Sequence, residues 1–151
     1  MDDGSNEQVR QRVNADGISR HFGIVVEEVR DGYARAKMSV PTHGDNFLGV
    51  PHGATIFALA DQAFAAASNS RGLASVALQV SVNFTRMPAF GEELVAEANE
   101  VHTTRRTGVY HVAVRGTGGE LVAHLQGTVF RTSKKLSEFE FRPTKAGGGA
   151  A

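Results

Sequence analysis

One apolar, alanine-rich segment, residues 54–67, limits the choice of fold more than any other part of this sequence. Eleven of its fourteen residues are apolar and seven are alanine. Apolar residues recur with the three- and four-residue spacing of an α-helix at Ile56, Leu59, Ala60, Ala63 and Phe64. A helix that is apolar on nearly every side is buried, and small side chains let a sheet approach its axis closely. The sequence therefore predicts one long, buried, central helix.

The segments on both sides of this helix have the alternating pattern of half-buried strands. Apolar and polar residues alternate over residues 34–40 before the helix and again over residues 78–85 after it. We predict two strands before the helix and four consecutive strands after it. Strands joined by short turns run antiparallel. The predicted class is α+β, with a curled antiparallel sheet wrapped around one long central helix.

We expect one main domain at residues 21–135. The chain has 151 residues, which is enough for one sizeable core but cramped for two domains. Residues 1–20 form an N-terminal helical extension in this interpretation, with a short surface helix at about 6–13 that ends by Gly17. Residues 136–151 form a partly disordered C-terminal tail, because the end of the chain is rich in glycine and alanine; fraying is expected from about Ser133.

Composition excludes several classes of protein. The chain has no cysteine, which removes disulfides, thiolate metal sites and cysteine nucleophiles. Its histidines show no metal-ligating spacing, so we expect no metal. Sixteen basic residues balance sixteen acidic ones, which argues against a nucleic-acid partner. The sequence shows neither a membrane span nor the apolar region of a signal peptide, so we expect a cytoplasmic protein with no membrane partner.

Asp61 is the most unusual residue of the predicted helix. It is the only charged residue between Asp45 and Arg71, and no Lys or Arg lies within two helical turns of it. A buried carboxylate is costly unless it is paired, hydrogen-bonded or solvated in a cleft. Two interpretations remain open at this point. Asp61 either faces a subunit interface or a distant partner, or it acts as a general base or nucleophile in an apolar cleft.

The start of the helix is the second candidate site. A helix that begins near Gly53 has no Ser, Thr, Asp or Asn at its cap position, so its first amides lack partners and are able to bind an oxyanion. Alternatively, Thr55 caps a later start. Eight residues separate Gly53 from Asp61, about 12 Å along a helix. The two groups are therefore too far apart to act on one carbonyl unless a second subunit brings them together.

Charge is unevenly distributed along the chain. Residues 1–100 have 8 basic and 13 acidic side chains, a balance of −5, whereas residues 101–135 have 6 basic side chains and one acidic side chain, a balance of +5. The basic segment is predicted to be strand and turn. It forms either a solvated strand face or a binding site for a phosphorylated ligand.

Several motifs together resemble those of a known family. They are Asn46-x-x-Gly49-x-x-His52-Gly53-Ala54, Leu59-Ala60-Asp61-x-Ala63, Ser68 to Ala74, Asn83-Phe84-x-Arg86 and Arg106-Thr107-Gly108-Val109-Tyr110. This chain resembles, over residues 20–132, the hot-dog-fold acyl-CoA thioesterases of the phenylacetate-degradation (PaaI) type. The resemblance implies a helix inside a curled antiparallel sheet, active sites at the interface of a homodimer, and a homotetramer of two such dimers.

The resemblance also implies roles for four residues. The Gly53 amide polarises the thioester carbonyl, and Asp61 of the opposing subunit activates water or attacks directly. Asn46 places the water or the thioester, and His52 supports the substrate-binding loop. Ala54 departs from the family pattern, which usually has a second glycine there. The implied activity is hydrolysis of a small aryl- or acyl-CoA thioester without a cofactor; the alternative is a hot-dog protein that binds acyl-CoA or another apolar ligand without turnover.

The candidate binding residues form two groups, of which the first follows from the resemblance. For coenzyme A they are Arg86, Arg105, Arg106, Thr107 and Gly108. For the acyl group, an aromatic pocket would be formed by Phe47, Phe57 and Phe64, although each of these is also a suitable core residue.

Overall fold

The computed structural model describes residues 3–143 of the chain. Along this part of the chain the elements are α1 (Asp3–Ala15), α2 (Gly17–Phe22), β1 (Val25–Arg30), β2 (Tyr33–Ser39), α3 (Gly53–Asn69), β3 (Leu73–Phe84), β4 (Glu93–Thr103), β5 (Thr107–Gly116), β6 (Leu121–Lys135) and a 3₁₀ turn (Leu136–Glu138). None of these helices is long and apolar enough to cross a membrane.

The alanine-rich segment forms the central helix α3, as its spacing predicts. Leu59, Ala60 and Ala63 have no exposed surface, and Ile56 and Phe64 are almost fully buried. Their neighbours are the inner faces of the sheet strands, where small residues such as those at 34, 36, 96 and 98 are also fully buried. Small side chains on both surfaces therefore allow the helix to lie close against the sheet.

All six strands of the described chain form one antiparallel sheet, in the order β1-β2-β4-β5-β6-β3. This confirms the predicted hot-dog architecture of a curled antiparallel sheet around a helix. The consecutive strands β3 and β4 do not pair with each other. β3 pairs with β6 and β4 pairs with β2, because the loop at 85–92 crosses the end of the sheet: Thr85 N–H donates to Val122 O, and Gly91 N–H donates to Val40 O.

The N-terminal segment contains two helices rather than the single predicted one. α2 begins at Gly17 because the Asp16 side chain caps it, accepting a hydrogen bond from Ser19 N–H at 2.9 Å. Gly17, which was expected to end a helix, instead starts the second one. α1 packs along β1 and reaches it through the Asn14 amide, which accepts from Val26 N–H at 2.7 Å and donates to Val26 O at 3.0 Å.

The C-terminal segment is more ordered than expected from Ser133 onward. β6 continues to Lys135, and the 3₁₀ turn follows it. Arg12 of α1 donates to the carbonyls of Leu136 and Phe139, which holds this segment against the N-terminal helix. The glycine-rich end that was predicted to be frayed, residues 144–151, lies outside the described residues.

Candidate active site

The first amide of α3 is available to a ligand. His52 caps the helix with its ring: Nδ1 accepts from Ala54 N–H at 3.0 Å, and the His52 carbonyl accepts from Thr55 N–H at 3.0 Å. Gly53 N–H has no partner among the described residues, so it remains an orphan donor at the positive end of the helix dipole. The Thr55 hydroxyl does not cap a later start; it donates to Gly44 O at 3.2 Å.

A tight loop before α3 positions Asn46. Asn46 N–H donates to Val50 O, and its side-chain Oδ1 accepts from the amides of Leu48 and Val50. The carbonyl oxygen of the side chain is therefore used within the loop. No described residue accepts a hydrogen bond from its Nδ2, which is free to bind water or a carbonyl in the adjacent recess.

This recess has a volume of about 370 Å³ and lies where the helix start meets the end of β3. Its walls mix apolar and polar side chains: Asn46, Pro51, Gly53, Ile56, Phe84, Thr85, Arg86 and Met87. A Cβ on Gly53 would approach the Phe84 ring to 3.2 Å, so glycine leaves room for the recess. Arg86 is held by two hydrogen bonds to Glu92, of 3.2 and 2.7 Å, so its charge is largely neutralised within the chain.

Asp61 lies further along α3 and is half-buried. Within residues 3–143 its carboxylate receives no hydrogen bond and forms no ion pair. Burial, and secondarily the negative charge of Asp16, raise the pKa of Asp61 above its usual range. A carboxylate with a raised pKa is a stronger base than a surface aspartate, which suits proton abstraction from water.

One face of α3 is left partly uncovered, and Asp61 lies on it. The half-buried residues of the helix recur on this face at Phe57, Ala58, Asp61, Ala65 and Asn69. Asn69 accepts from Ser75 N–H of β3 at 2.8 Å, and Gly53 at the other end of the helix contacts Phe84 of β3. The helix thus runs antiparallel beside β3, with the Asp61 face next to that edge of the sheet.

The other candidate binding residues lie at the opposite end of β3. A basic hollow of about 520 Å³ is lined by Leu73, Arg105, Arg106, Phe130, Arg131, Thr132 and Ser133. Arg131 donates to Thr104 O at 2.6 Å, whereas the guanidinium groups of Arg105 and Arg106 are exposed and have no partner among the described residues. Thr107 belongs to the hairpin beside this hollow and Gly108 is buried under Tyr110.

The three candidate phenylalanines occupy different environments. Phe47 is 95% exposed at the tip of the loop that carries Asn46. Phe57 is half-buried on the same helix face as Asp61. Phe64 is only 2% exposed and packs edge-on against Tyr110 in the core, where it does not line the recess. The structure therefore gives Phe47 and Phe57, but not Phe64, access to a ligand.

The structure does not bring the predicted site residues together within one chain. Asn46, Gly53 and Arg86 surround the recess, Asp61 lies about 12 Å along the helix from Gly53, and Arg105 and Arg106 lie beyond the far end of β3. Eleven residue steps of strand correspond to about 36 Å. One chain therefore holds an unpaired helix amide, an unpaired carboxylate and a basic hollow that cannot all reach one small ligand.

Sequence reasoning missed several residues at these sites. Phe84 and Met87 line the recess, Arg131 lines the basic hollow, and Asp16 bears on the ionisation of Asp61. The sequence does point to Phe84, because this residue lies in the same short motif as Arg86. The others depend on strand order and helix packing, which no local pattern reveals. The described residues contain no cluster of His, Asp or Glu suited to a metal ion.

A family model described as "Thioesterase superfamily" matches residues 48–123 of this chain. The acyl-coenzyme A thioesterase PaaI of Escherichia coli is 34% identical over 116 residues, which cover 77% of this chain and 83% of the relative. The residues matched by the family model include Gly53, Asp61 and Arg106, whereas Asn46 lies just before them.

Solved structures show the same fold. The structure of the E. coli PaaI protein from the phenylacetic acid degradation operon aligns with a TM-score of 0.79 at 31% identity, covering 87% of this chain and 99% of that one. A Streptococcus mutans protein bound to acetyl-CoA aligns with a TM-score of 0.70 at 30% identity, covering 74% of this chain and 90% of that one.

Proposed function

Because the chain belongs to the thioesterase superfamily and has the hot-dog fold of the PaaI type, we propose that it hydrolyses a small aryl- or acyl-CoA thioester, such as phenylacetyl-CoA, to the free acid and coenzyme A. Both the sequence relative and the solved neighbour named for PaaI support this substrate class. The acetyl-CoA carried by the S. mutans neighbour supports recognition of the coenzyme A part.

The proposed chemistry uses two groups of the chain. The Gly53 amide donates to the carbonyl oxygen as negative charge develops on it. Asp61 accepts a proton from water as the water oxygen attacks the carbonyl carbon, or its carboxylate attacks that carbon directly. On the base route the carbon–sulfur bond then breaks, and the proton held by Asp61 passes to the sulfur, so that the free acid and the coenzyme A thiol leave. On the direct route the broken bond leaves a coenzyme A thiolate and an acyl–Asp61 anhydride. Water hydrolyses this anhydride to the free acid and the restored carboxylate, and the released proton converts the thiolate to the thiol. Asn46 Nδ2 orients the water or the thioester, and His52 holds the helix start in place through its cap.

We propose that the two groups come from different subunits of a homodimer. β3 is an open edge with the apolar side chains Val76 and Leu78 55% and 62% exposed, so it is suited to pair with β3 of a second copy. Such a pair is isologous and antiparallel. The Asp61 face of α3 lies beside this edge, so pairing would bring it against the partner. By resemblance we expect two dimers to form a homotetramer.

The same pairing gives the basic hollow a role. In an antiparallel β3 pair, the start of one strand lies by the end of the other. The partner's basic hollow would then lie at the same end of the dimer as the recess with Gly53. Arg105 and Arg106 supply unpaired guanidinium groups for the phosphates of coenzyme A, and we add Arg131 to them. Arg86 is a weaker candidate because Glu92 already binds it.

The observation that carries this proposal is the unpaired, half-buried carboxylate of Asp61. Asp61→Asn keeps the shape of the side chain and removes the base. We expect thiol release from phenylacetyl-, hydroxybenzoyl- and medium-chain acyl-CoA to fall by about 10²–10⁴ with no change in oligomeric state. Glu93→Gln, which removes one exposed carboxylate from β4, is the matched control and should keep full activity.

Near-normal rates for Asp61→Asn would exclude this carboxylate from the reaction. Binding of acyl-CoA to the unaltered protein in a calorimeter, with no thiol released from any substrate, would favour the alternative of a non-catalytic binding protein. A cytoplasmic location and the absence of a cofactor stay predictions from the sequence.

A further inference from the structure

The N-terminal extension reaches the central helix beside Asp61. Asp16 is the cap of α2. Gln62 Nε2 of α3 donates a hydrogen bond of 2.8 Å to each of its two carboxylate oxygens. The same amide donates to Ser19 Oγ at 2.7 Å. Gln62 is the next residue after Asp61, so these bonds tie α2 to the helical turn that carries the candidate base.

The contact between Asp16 and Gln62 is largely shielded from water. Gln62 is 6% exposed and Ser19 is 1% exposed, so the amide has little access to water and depends on Asp16 and Ser19 for its hydrogen bonds. A buried amide without acceptors is costly. The Asp16–Gln62 contact therefore fixes both the start of α2 and the turn of α3 that includes Asp61.

Other charged groups around this turn are few. α2 contributes Arg20 and His21, and the loop before α3 contributes His43, Asp45 and His52. α3 has no charged residue besides Asp61, and the strands turn apolar side chains toward it, with Tyr110 as their titratable member. Apart from burial, the influence on the pKa of Asp61 comes from the negative charge of Asp16, and both raise that pKa.

We propose that Asp16 is a positioning residue for catalysis: through its hydrogen bonds to Gln62 it fixes the helical turn that carries Asp61. The proposal rests on the proposed function, in which Asp61 is the base. It assigns a role in the reaction to the N-terminal extension, which the hot-dog sheet itself does not need.

The test is Asp16→Asn. Asparagine keeps Oδ1 to accept from Ser19 N–H and from Gln62, and it is as good a helix cap as aspartate. It carries no charge, and its Nδ2 cannot accept the second Gln62 hydrogen bond. Removing a negative charge near Asp61 makes its ionised form easier to reach. The acidic limb of kcat/KM against pH should therefore move to lower pH, while KM stays unchanged because Asp16 does not touch the substrate.

Asp16→Ser provides a second variant, and an NMR titration of Asp61 provides a second readout. Asp16→Ser still caps α2 but is too short to hold Gln62, and should move the limb in the same direction with a further loss in kcat. Carbon-13 NMR of the Asp61 carboxyl, identified by its absence in Asp61→Asn, follows the same titration without turnover. Glu7→Gln removes an equal charge from exposed α1 and should leave both readouts unmoved.

The outcomes separate the two proposals. If Asp61→Asn is inactive but neither Asp16 variant moves the limb or the carboxyl titration, the role of Asp16 is wrong and the proposed function stands. An equal shift in Glu7→Gln would show that the effect comes from net charge alone, and this would also overturn the role of Asp16. If Asp61→Asn is active, the proposed function itself fails.

Discussion

At the β1 edge of the sheet, the chain's own N-terminal helix takes the place of a neighbouring strand, whereas the β3 edge has no neighbour among the described residues. The Asn14 side chain forms hydrogen bonds with the backbone amide and carbonyl of Val26, as a neighbouring strand would. Along β3, the twelve residues from Leu73 to Phe84 pair on one side only and leave large apolar side chains exposed. Edges of this kind are normally blocked in monomeric proteins. The chain covers the β1 edge with its own helix, and the open β3 edge supports our proposal that a second copy pairs there.

Blocking the open edge should have the largest effect. Val76→Lys combined with Leu78→Lys places charges on exposed positions of β3, so each protomer should still fold. Lysines on an edge strand oppose pairing. We expect monomers by light scattering and thioesterase activity at background, because Gly53 and Asp61 would no longer share a site. Val101→Lys is the matched control, since Val101 is also 55% exposed but lies on the internal strand β4. An active monomer would refute the shared site.

The recess at the end of the open edge can be tested by removing one amide hydrogen. Gly53 is the first residue of α3 and His52 before it is extended, with φ −74° and ψ 137°, which is where proline is tolerated. Gly53→Pro deletes the candidate oxyanion donor and should lower kcat by about 10²–10³. Gly53→Ala brings the same Cβ toward Phe84 but keeps the N–H. Equal losses in the two variants would show that space, and not the amide, is what matters.

The basic hollow at the other end of the edge should affect binding more than turnover. Arg105→Ala combined with Arg106→Ala removes two unpaired guanidinium groups, and we expect KM for an acyl-CoA to rise about tenfold. The matched substrate is the corresponding pantetheine thioester, which lacks the nucleotide phosphates and should be cleaved equally by both proteins. Arg115→Ala removes an exposed charge elsewhere and serves as the control variant. An equal KM increase for both substrates would place the coenzyme A phosphates elsewhere.

Removing the Asn14 contact at the β1 edge should have the smallest of these effects. It should lower the stability of the fold and leave catalysis unchanged. Asn14→Ala leaves the amide and carbonyl of Val26 without their side-chain partner, which should lower the free energy of unfolding by about 1–2 kcal/mol. The exposed control on the same helix is Gln11→Ala. Denaturant titration measures the difference, with thiol release expected to stay normal in both variants. A loss of the dimer in Asn14→Ala would mean that β1, and not β3, forms the interface.

The sequence predicts the fold well where a pattern is repeated over many residues. The helical spacing around Ile56 and Leu59 identifies α3, and the alternation at 34–40 and 78–85 identifies strands on each side of it. It does not predict that β3 pairs with β6, because strand order depends on how the loops cross the sheet ends. The second helix is missed because Gly17 resembles a terminator, although Asp16 before it is a readable cap.

The candidate site is likewise predictable from the sequence only in part. Asp61 is detectable because a lone carboxylate in an apolar helix is costly wherever the chain folds. The availability of the Gly53 amide depends on His52 using its ring as a cap, which is not a usual capping residue. The pairing of Arg86 with Glu92, and of Gln62 with Asp16, joins residues that only the folded chain brings together.

If each active site combines Gly53 of one subunit with Asp61 of the other, two inactive variants should complement each other when their subunits mix. Gly53→Pro and Asp61→Asn are each expected to be nearly inactive. When the two variants are co-expressed in equal amounts, half of the dimers should contain both, and each of those should have one intact site. We expect recovery to about a quarter of the unaltered activity, because half of the dimers are mixed and each mixed dimer has one intact site of two. Activity that stays at the level of the separate variants would contradict it.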